Sequence, residues 1–166
     1  MSISENSHKY WMQKAIEEAK LAMAEGELPI GAVLVSGNKE LSRAQTQVVR
    51  KNSILAHAEW SAVFNARNNV FTTEQPLTLY TTLEPCLMCI GAAIQAEVKK
   101  IIFAMPAGVR GDANLVGGIR NIGQKVPEIQ GGILKDEVVE LFKQFIRENP
   151  DSFAATYANE YLEGNI

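Results

Sequence analysis

Apolar residues recur three and four positions apart from about Ser7 to Glu25, where Trp11, Met12, Ala15, Ile16, Ala19, Ala22 and Met23 form one stripe. That period predicts an amphipathic helix with a buried stripe, and Gly26 is a natural stop. The pattern then shortens. Ile30 to Val35 is an apolar run of strand length, Ser36-Gly37-Asn38-Lys39 reads as a turn, and Leu41 to Val48 makes the second arm of a hairpin. A helix is expected from near Ala56 (AHAEWSAVFNAR), a strand at Leu77–Thr81, a helix at Pro85–Ala96 and a strand at Lys100–Ala104. Pro85 suits a first helical position, where its missing N–H would have no partner. Residues 105–124 are glycine-rich and read as a loop long enough to be functional. A short strand at Glu128–Gln130 and helices at Lys135–Glu148 and Ser152–Leu162 complete the chain. Strands alternating with helices predict βαβ units with helices on both sheet faces, an α/β three-layer sandwich.

Composition narrows this picture. At 166 residues and 46% hydrophobic content, the chain suits one domain, residues 1–166, with a core of its own. Two cysteines cannot make a disulfide framework. The first thirty residues carry charges throughout, and no run reaches the roughly 18 apolar residues of a membrane span. A soluble, cytoplasmic protein without a signal peptide is the expectation. The net charge of −3 is unevenly spread: residues 1–135 balance at +2 and residues 136–166 at −5. Such an acidic end is a poor dock for a polyanion, whose affinity comes from Lys and Arg. An ordinary solvated helix face accounts for it.

The chemistry gathers in His57-Ala58-Glu59 and Pro85-Cys86-Leu87-Met88-Cys89. Both cysteines lie three apart at a helix start, so their sulfurs share a face. A helix N-terminus favours the thiolate form. One imidazole and two thiolates make a Zn²⁺ ligand set, and three protein ligands leave a fourth position for water. Glu59 is two residues from His57 and need not be a ligand; it can carry protons beside activated water. H-x-E…P-C-x-x-C is the known pattern of zinc nucleobase deaminases. A Cys-x-x-C pair alone fits redox chemistry equally well, and His57 with Glu59 turns the balance to metal. A closed structural zinc would want a fourth Cys or His. His8 reads as a surface helix residue, and the Trp11–Met12–Ile16 stripe as core.

Leu79-Tyr80-Thr81-Thr82-Leu83-Glu84-Pro85-Cys86-Leu87-Met88-Cys89-Ile90-Gly91-Ala92 resembles the cytidine and deoxycytidylate deaminase superfamily. Within it the chain is similar to the branch of bacterial tRNA adenosine deaminase, guanine deaminase and fungal cytosine deaminase, through Leu28–Val35 before the motif and Gly132-Ile133-Leu134 after it. The resemblance implies a five-stranded mixed sheet, a homodimer paired near the metal-motif helices, and hydrolytic deamination. Water attacks an amino-bearing ring carbon, Glu59 carries protons to the ring nitrogen and the leaving amine, and ammonia departs. His57, Cys86 and Cys89 would bind zinc, and the backbone at Ala56 and around Glu84, Pro85 and Cys86 would line the base pocket.

Two departures bear on the substrate. Where such relatives commonly carry a base-binding Asn, eleven residues before the metal-binding His, this chain has Thr46 between Gln45 and Gln47. A hydroxyl cannot make the bidentate contact of an amide with an adenine edge. Either a glutamine takes over through a local bulge or the substrate differs. Relatives acting on tRNA usually end in basic residues, whereas Lys143-Gln144-Phe145-Ile146 with Pro150 and Phe153 looks more like fungal cytosine deaminase, whose C-terminal segment covers a small pocket. Glu84 agrees better with the tRNA and guanine branches. Phe153 and Tyr157 read either as an aromatic lid or as packing residues of a terminal helix. The expectation is therefore a zinc deaminase of a free nucleobase, nucleoside or related small heterocycle. A tRNA wobble adenosine deaminase is the alternative, and a non-catalytic zinc-binding partner subunit a remoter one.

Overall fold

Seven consecutive buried residues, Leu77–Leu83, form the middle strand of a five-stranded mixed sheet. The computed structural model describes residues 5–66, 69–108, 111, 126–163 and 165. Its elements are α1 (Glu5–Ala24), β1 (Gly31–Ser36), β2 (Lys39–Gln45), α2 (Ala58–Ala66), α3 (Asn69–Thr72), β3 (Leu77–Leu83), α4 (Leu87–Gln95), β4 (Lys100–Met105), β5 (Glu128–Gln130), α5 (Lys135–Glu148) and α6 (Phe153–Leu162). The strand order is β2-β1-β3-β4-β5. β1 runs antiparallel to both β2 and β3, while β3, β4 and β5 run parallel.

Alternation along the strands divides the helices between two faces. On β2, Ser42 donates to the Ala62 carbonyl of α2 at 2.6 Å, and the next residue, Arg43, pairs with Glu17 and Glu18 of α1 at 3.6 and 3.7 Å. On β3, Tyr80 meets His8 of α1 and Thr81 meets Glu59 of α2. α5 touches α1 on one side of the sheet, and α4 touches α2 on the other. The result is a three-layer sandwich. β1 and β3 are buried along their whole length and β4 over all but Lys100, as expected of sheet-centre strands covered on both faces. Gly31 lets α1 approach: a Cβ there would collide with the backbone of Ala15 and Ala19. None of the described helices is long and apolar enough to cross a membrane.

Four expectations need correcting. His8 is buried, because the α1 stripe extends one turn earlier than its apolar residues show; its ring satisfies itself on the Tyr80 hydroxyl at 2.9 Å. β2 stops at Gln45 rather than Val48. There the chain leaves the ladder: Thr46 N–H bonds the Ile30 carbonyl, and residues 47–53 close turns on themselves. α4 starts at Leu87, since Cys86 is extended (φ −74°, ψ 168°) and caps the helix, which puts Pro85 before the cap. The four-residue α3 was not anticipated. Most of the 105–124 loop lies outside the described residues.

Candidate metal centre and cavity

α2 and α4 lie side by side on one face of the sheet, and each presents a donor at its N-terminus. His57 precedes α2, its carbonyl accepting from Ser61 N–H at 3.0 Å; Cys86 precedes α4, its carbonyl accepting from Ile90 N–H at 3.0 Å. Cys89 follows within the first turn of α4 and is fully buried. His57 Nδ1 lies 3.6 Å from each sulfur, and the two sulfurs are 3.7 Å apart. A tetrahedral zinc ion with Zn–S of about 2.3 Å and Zn–N of about 2.0–2.1 Å needs S···S of about 3.8 Å and N···S of about 3.6 Å. The triangle has those edges, so the three donors can hold such an ion, with Nδ1 as the imidazole donor.

The electrostatics prepare one of the two thiols as a ligand. Hydrogen bonds from Cys89 and His57 hold the Cys86 thiol down to about 4, where it is a thiolate at neutral pH. Donation to Cys86, together with burial, pushes the Cys89 thiol up, and the contact with Cys86 raises His57. Glu59 is buried in the first turn of α2, and burial raises its affinity for a proton. Its Oε2 lies 3.6 Å from Cys89 Sγ and its Oε1 3.3 Å from the Thr81 hydroxyl, which is also 3.1 Å from the Leu83 carbonyl. The carboxylate thus stands beside the donor triangle without being part of it.

His57, Glu59 and Cys86 open onto a cavity of about 220 Å³. Leu28, Ile30, Thr46, Val48, Val49 and Ile54 line it from one part of the chain, and α6 contributes Phe153, Ala154, Tyr157 and Tyr161. The Phe153 ring is 77% exposed and meets Tyr157 edge to face at 5.0 Å, so it is a cavity rim rather than core. Thr46 is buried and lines the cavity. Gln45 and Gln47 line a separate surface cleft, and the Gln45 amide is held by Glu25 at 2.5 Å, so neither glutamine replaces Thr46. Glu84 lines the cavity and accepts from Ala107 N–H at 3.0 Å. Its carboxylate fills the space a Cβ on Gly111 would need, the one described residue between 109 and 125.

Ala56 and Pro85 are buried but do not line the cavity; Ala56 spends its carbonyl on Gln47 N–H and its N–H on the Ser53 carbonyl. Sequence reasoning missed Glu27, which lines the cavity while only 1% exposed. The available signal was a lone carboxylate between the helix stop Gly26 and the apolar Leu28-Pro29-Ile30.

Residues 5–105 match the cytidine and deoxycytidylate deaminase zinc-binding region. The chain is 35% identical to a tRNA-specific adenosine deaminase of Bacillus subtilis, over 83% of this chain and 88% of that protein. It is 31% identical to a cytosine deaminase of Candida albicans, over 87% of this chain and 93% of that protein. A solved structure from work on A-to-I editing by tRNA:A34 deaminases at the wobble position of transfer RNA superposes with a TM-score of 0.70 at 28% identity, over 80% of this chain and 98% of that one. With sheet, cavity and donor triangle in agreement, the chain belongs to the cytidine and deoxycytidylate deaminase family of zinc-binding proteins.

Proposed function

We propose that the protein is a zinc-dependent hydrolytic deaminase of an amino-bearing nucleobase, nucleoside or related small heterocycle. His57, Cys86 and Cys89 are its zinc ligands and Glu59 its proton carrier. One observation carries this reading: a buried carboxylate stands 3.6 Å from one corner of a donor triangle with tetrahedral-zinc edges, at a cavity that admits a small ring. Zinc, when bound, supplies Lewis-acid activation of water.

Glu59 would take a proton from the attacking water, return it to the ring nitrogen, and carry the water's second proton to the leaving amine. One C–O bond forms, one C–N bond breaks, and ammonia leaves with the carbonyl product. Burial suits Glu59 to both halves of this task, because it brings the carboxyl's proton affinity closer to that of its partners. Thr81 fixes its orientation. Phe153 and Tyr157 offer aromatic surface to a flat ring, and Val48, Val49 and Ile54 add apolar lining.

Size and charge favour a small substrate. The cavity falls below the roughly 300–1,000 Å³ usual for drug-sized ligands. Residues 136–166 balance at −5, and the same stretch supplies the α6 rim, so this end of the chain offers a phosphate backbone no net positive charge. A homodimer is part of this proposal: Trp60 and Phe64 stack at 5.0 Å on the outer face of α2, which agrees with pairing near the metal-motif helices.

A tRNA-specific adenosine deaminase is the second reading, favoured by the tRNA-acting relatives and by Arg50 and Lys51 on the loop that borders the cavity. Arg50, however, is paired with Glu25. Ammonia release from cytosine, guanine, adenine, their nucleosides and an anticodon stem-loop RNA separates the two. Turnover of one free base or nucleoside supports the first reading, and turnover of the stem-loop alone replaces it. Glu59→Ala should keep its zinc and lose about 10²–10⁴-fold in rate; full activity in that variant would end the mechanism.

A further inference from the structure

Glu27 is a buried carboxylate that the proposed reaction does not use. Its Oε2 accepts the Val49 N–H at 3.0 Å and its Oε1 the Arg50 N–H at 2.7 Å. Consecutive amides of the 46–57 connection are thereby tied to one side chain just beyond α1. A carboxylate has about four lone-pair directions, and this clamp uses two. Among the described residues no other donor reaches Glu27, yet it lines the same cavity as Glu59 and His57. Thr46 is 3% exposed and lines that cavity too, and its hydroxyl has no partner among the described residues. The Thr46 hydroxyl is not among the buried side-chain atoms left unpartnered, so it reaches the open space of the cavity, where a bound ring can meet it.

We propose that Glu27 and Thr46 form the specificity edge of this cavity and require a hydrogen-bond donor on the part of the substrate remote from the reacting amine. The chemical class is an aminated heterocycle carrying either a second ring N–H or a sugar hydroxyl there. Glu27 accepts from that donor, and the Thr46 hydroxyl, able to give or accept, pairs with the neighbouring atom. The carboxylate, an acceptor only, turns away a lone pair aimed at it, whereas an amide in its place could donate to one. The inference rests on the deaminase reading of the same site.

The test uses the zinc-loaded protein with matched probes: cytosine, 1-methylcytosine and cytidine, and guanine, 9-methylguanine and guanosine. Ammonia release and calorimetric binding are measured on wild type, Glu27→Gln and Thr46→Val. Wild type should prefer a donor-bearing probe to its N-methyl analogue by about tenfold or more, because methylation removes the donor that the carboxylate's remaining lone pairs accept. Steric effects of the methyl group are common to all variants and cancel in the comparison. Glu27→Gln should bring the ratio close to one, mainly by raising KM or Kd for the donor-bearing member. Thr46→Val, which leaves the clamp intact, should weaken the same probe. Preference for the free base identifies a ring N–H as the donor, and preference for the nucleoside a sugar hydroxyl.

A ratio unchanged in Glu27→Gln, or an equal loss on both members of a pair, overturns the inference and leaves Glu27 a loop clamp alone. Absence of any preference in wild type overturns it as well. If no probe releases ammonia but binding shows the Glu27-dependent preference, the inference stands and the deaminase reading falls.

Discussion

The Thr81 hydroxyl lies between Glu59 Oε1, 3.3 Å away, and the Leu83 carbonyl, 3.1 Å away. Strand β3 thus holds the carboxylate of α2 in one orientation, across the sheet face that carries the metal centre. Thr81→Val keeps the shape and removes the anchor. Its kcat should fall about ten- to hundredfold, as expected for a misplaced reacting group, with KM and zinc content unchanged. A normal kcat in a zinc-replete Thr81→Val protein would show that Glu59 orients itself.

Removing one corner of the donor triangle should abolish metal binding, because two ligands cannot close a tetrahedral site. Cys89→Ser is expected to fall from about one zinc per chain to almost none by elemental analysis. A chelator should lower the wild-type melting temperature, since an ion bound only by the folded state stabilises it. The same chelator should leave Cys89→Ser unmoved. A variant that retains stoichiometric zinc would remove Cys89 from the ligand set.

His8 makes stability depend on pH. Burial and the Lys100 charge lower its proton affinity in the fold, with Glu128 opposing. The unfolded chain therefore takes up the proton first, at the ordinary value of 6.5, and stability falls as pH drops below it. Above that value the neutral ring and its bond to Tyr80 are fully present. Urea midpoints measured from pH 8 to pH 5 should decline more steeply for wild type than for His8→Gln. Parallel curves would assign the decline to other groups.

Gly31 should tolerate no side chain. A Cβ there meets the Ala15 carbonyl oxygen and the Ala19 nitrogen, backbone atoms of α1 that cannot swing aside. Gly31→Ala should cost about 1–3 kcal/mol by overpacking, read from denaturant unfolding. The zinc triangle, on the opposite face, should keep its metal in the protein that folds.

The sequence revealed most where a signal is local. Ile30–Val35 and Leu77–Thr81 read as strands because apolar runs of that length fit a doubly covered sheet, and they are β1 and β3. Cys86 and Cys89 read as neighbours from their three-residue spacing, and they do meet, with Cys86 extended at the N-cap and Cys89 in the first turn of α4. Long-range pairing was illegible. Nothing near His8 in sequence announces Tyr80, 72 residues away, so a buried histidine passed for a surface one. Glu27 meets Val49 and Arg50 only after the chain leaves β2, and that departure depends on Thr46 N–H finding the Ile30 carbonyl. Val48 looked like strand for the same reason.

The α6 rim has a consequence for what can vary. The donors and Glu59 lie between positions 57 and 89, inside the region shared with the family, whereas Phe153, Ala154, Tyr157 and Tyr161 come from a helix well beyond residue 105, where that match ends. One wall of the cavity and the reacting groups thus come from separate stretches of chain. Substitutions on the terminal helix can therefore reshape that wall while leaving the donor triangle in place.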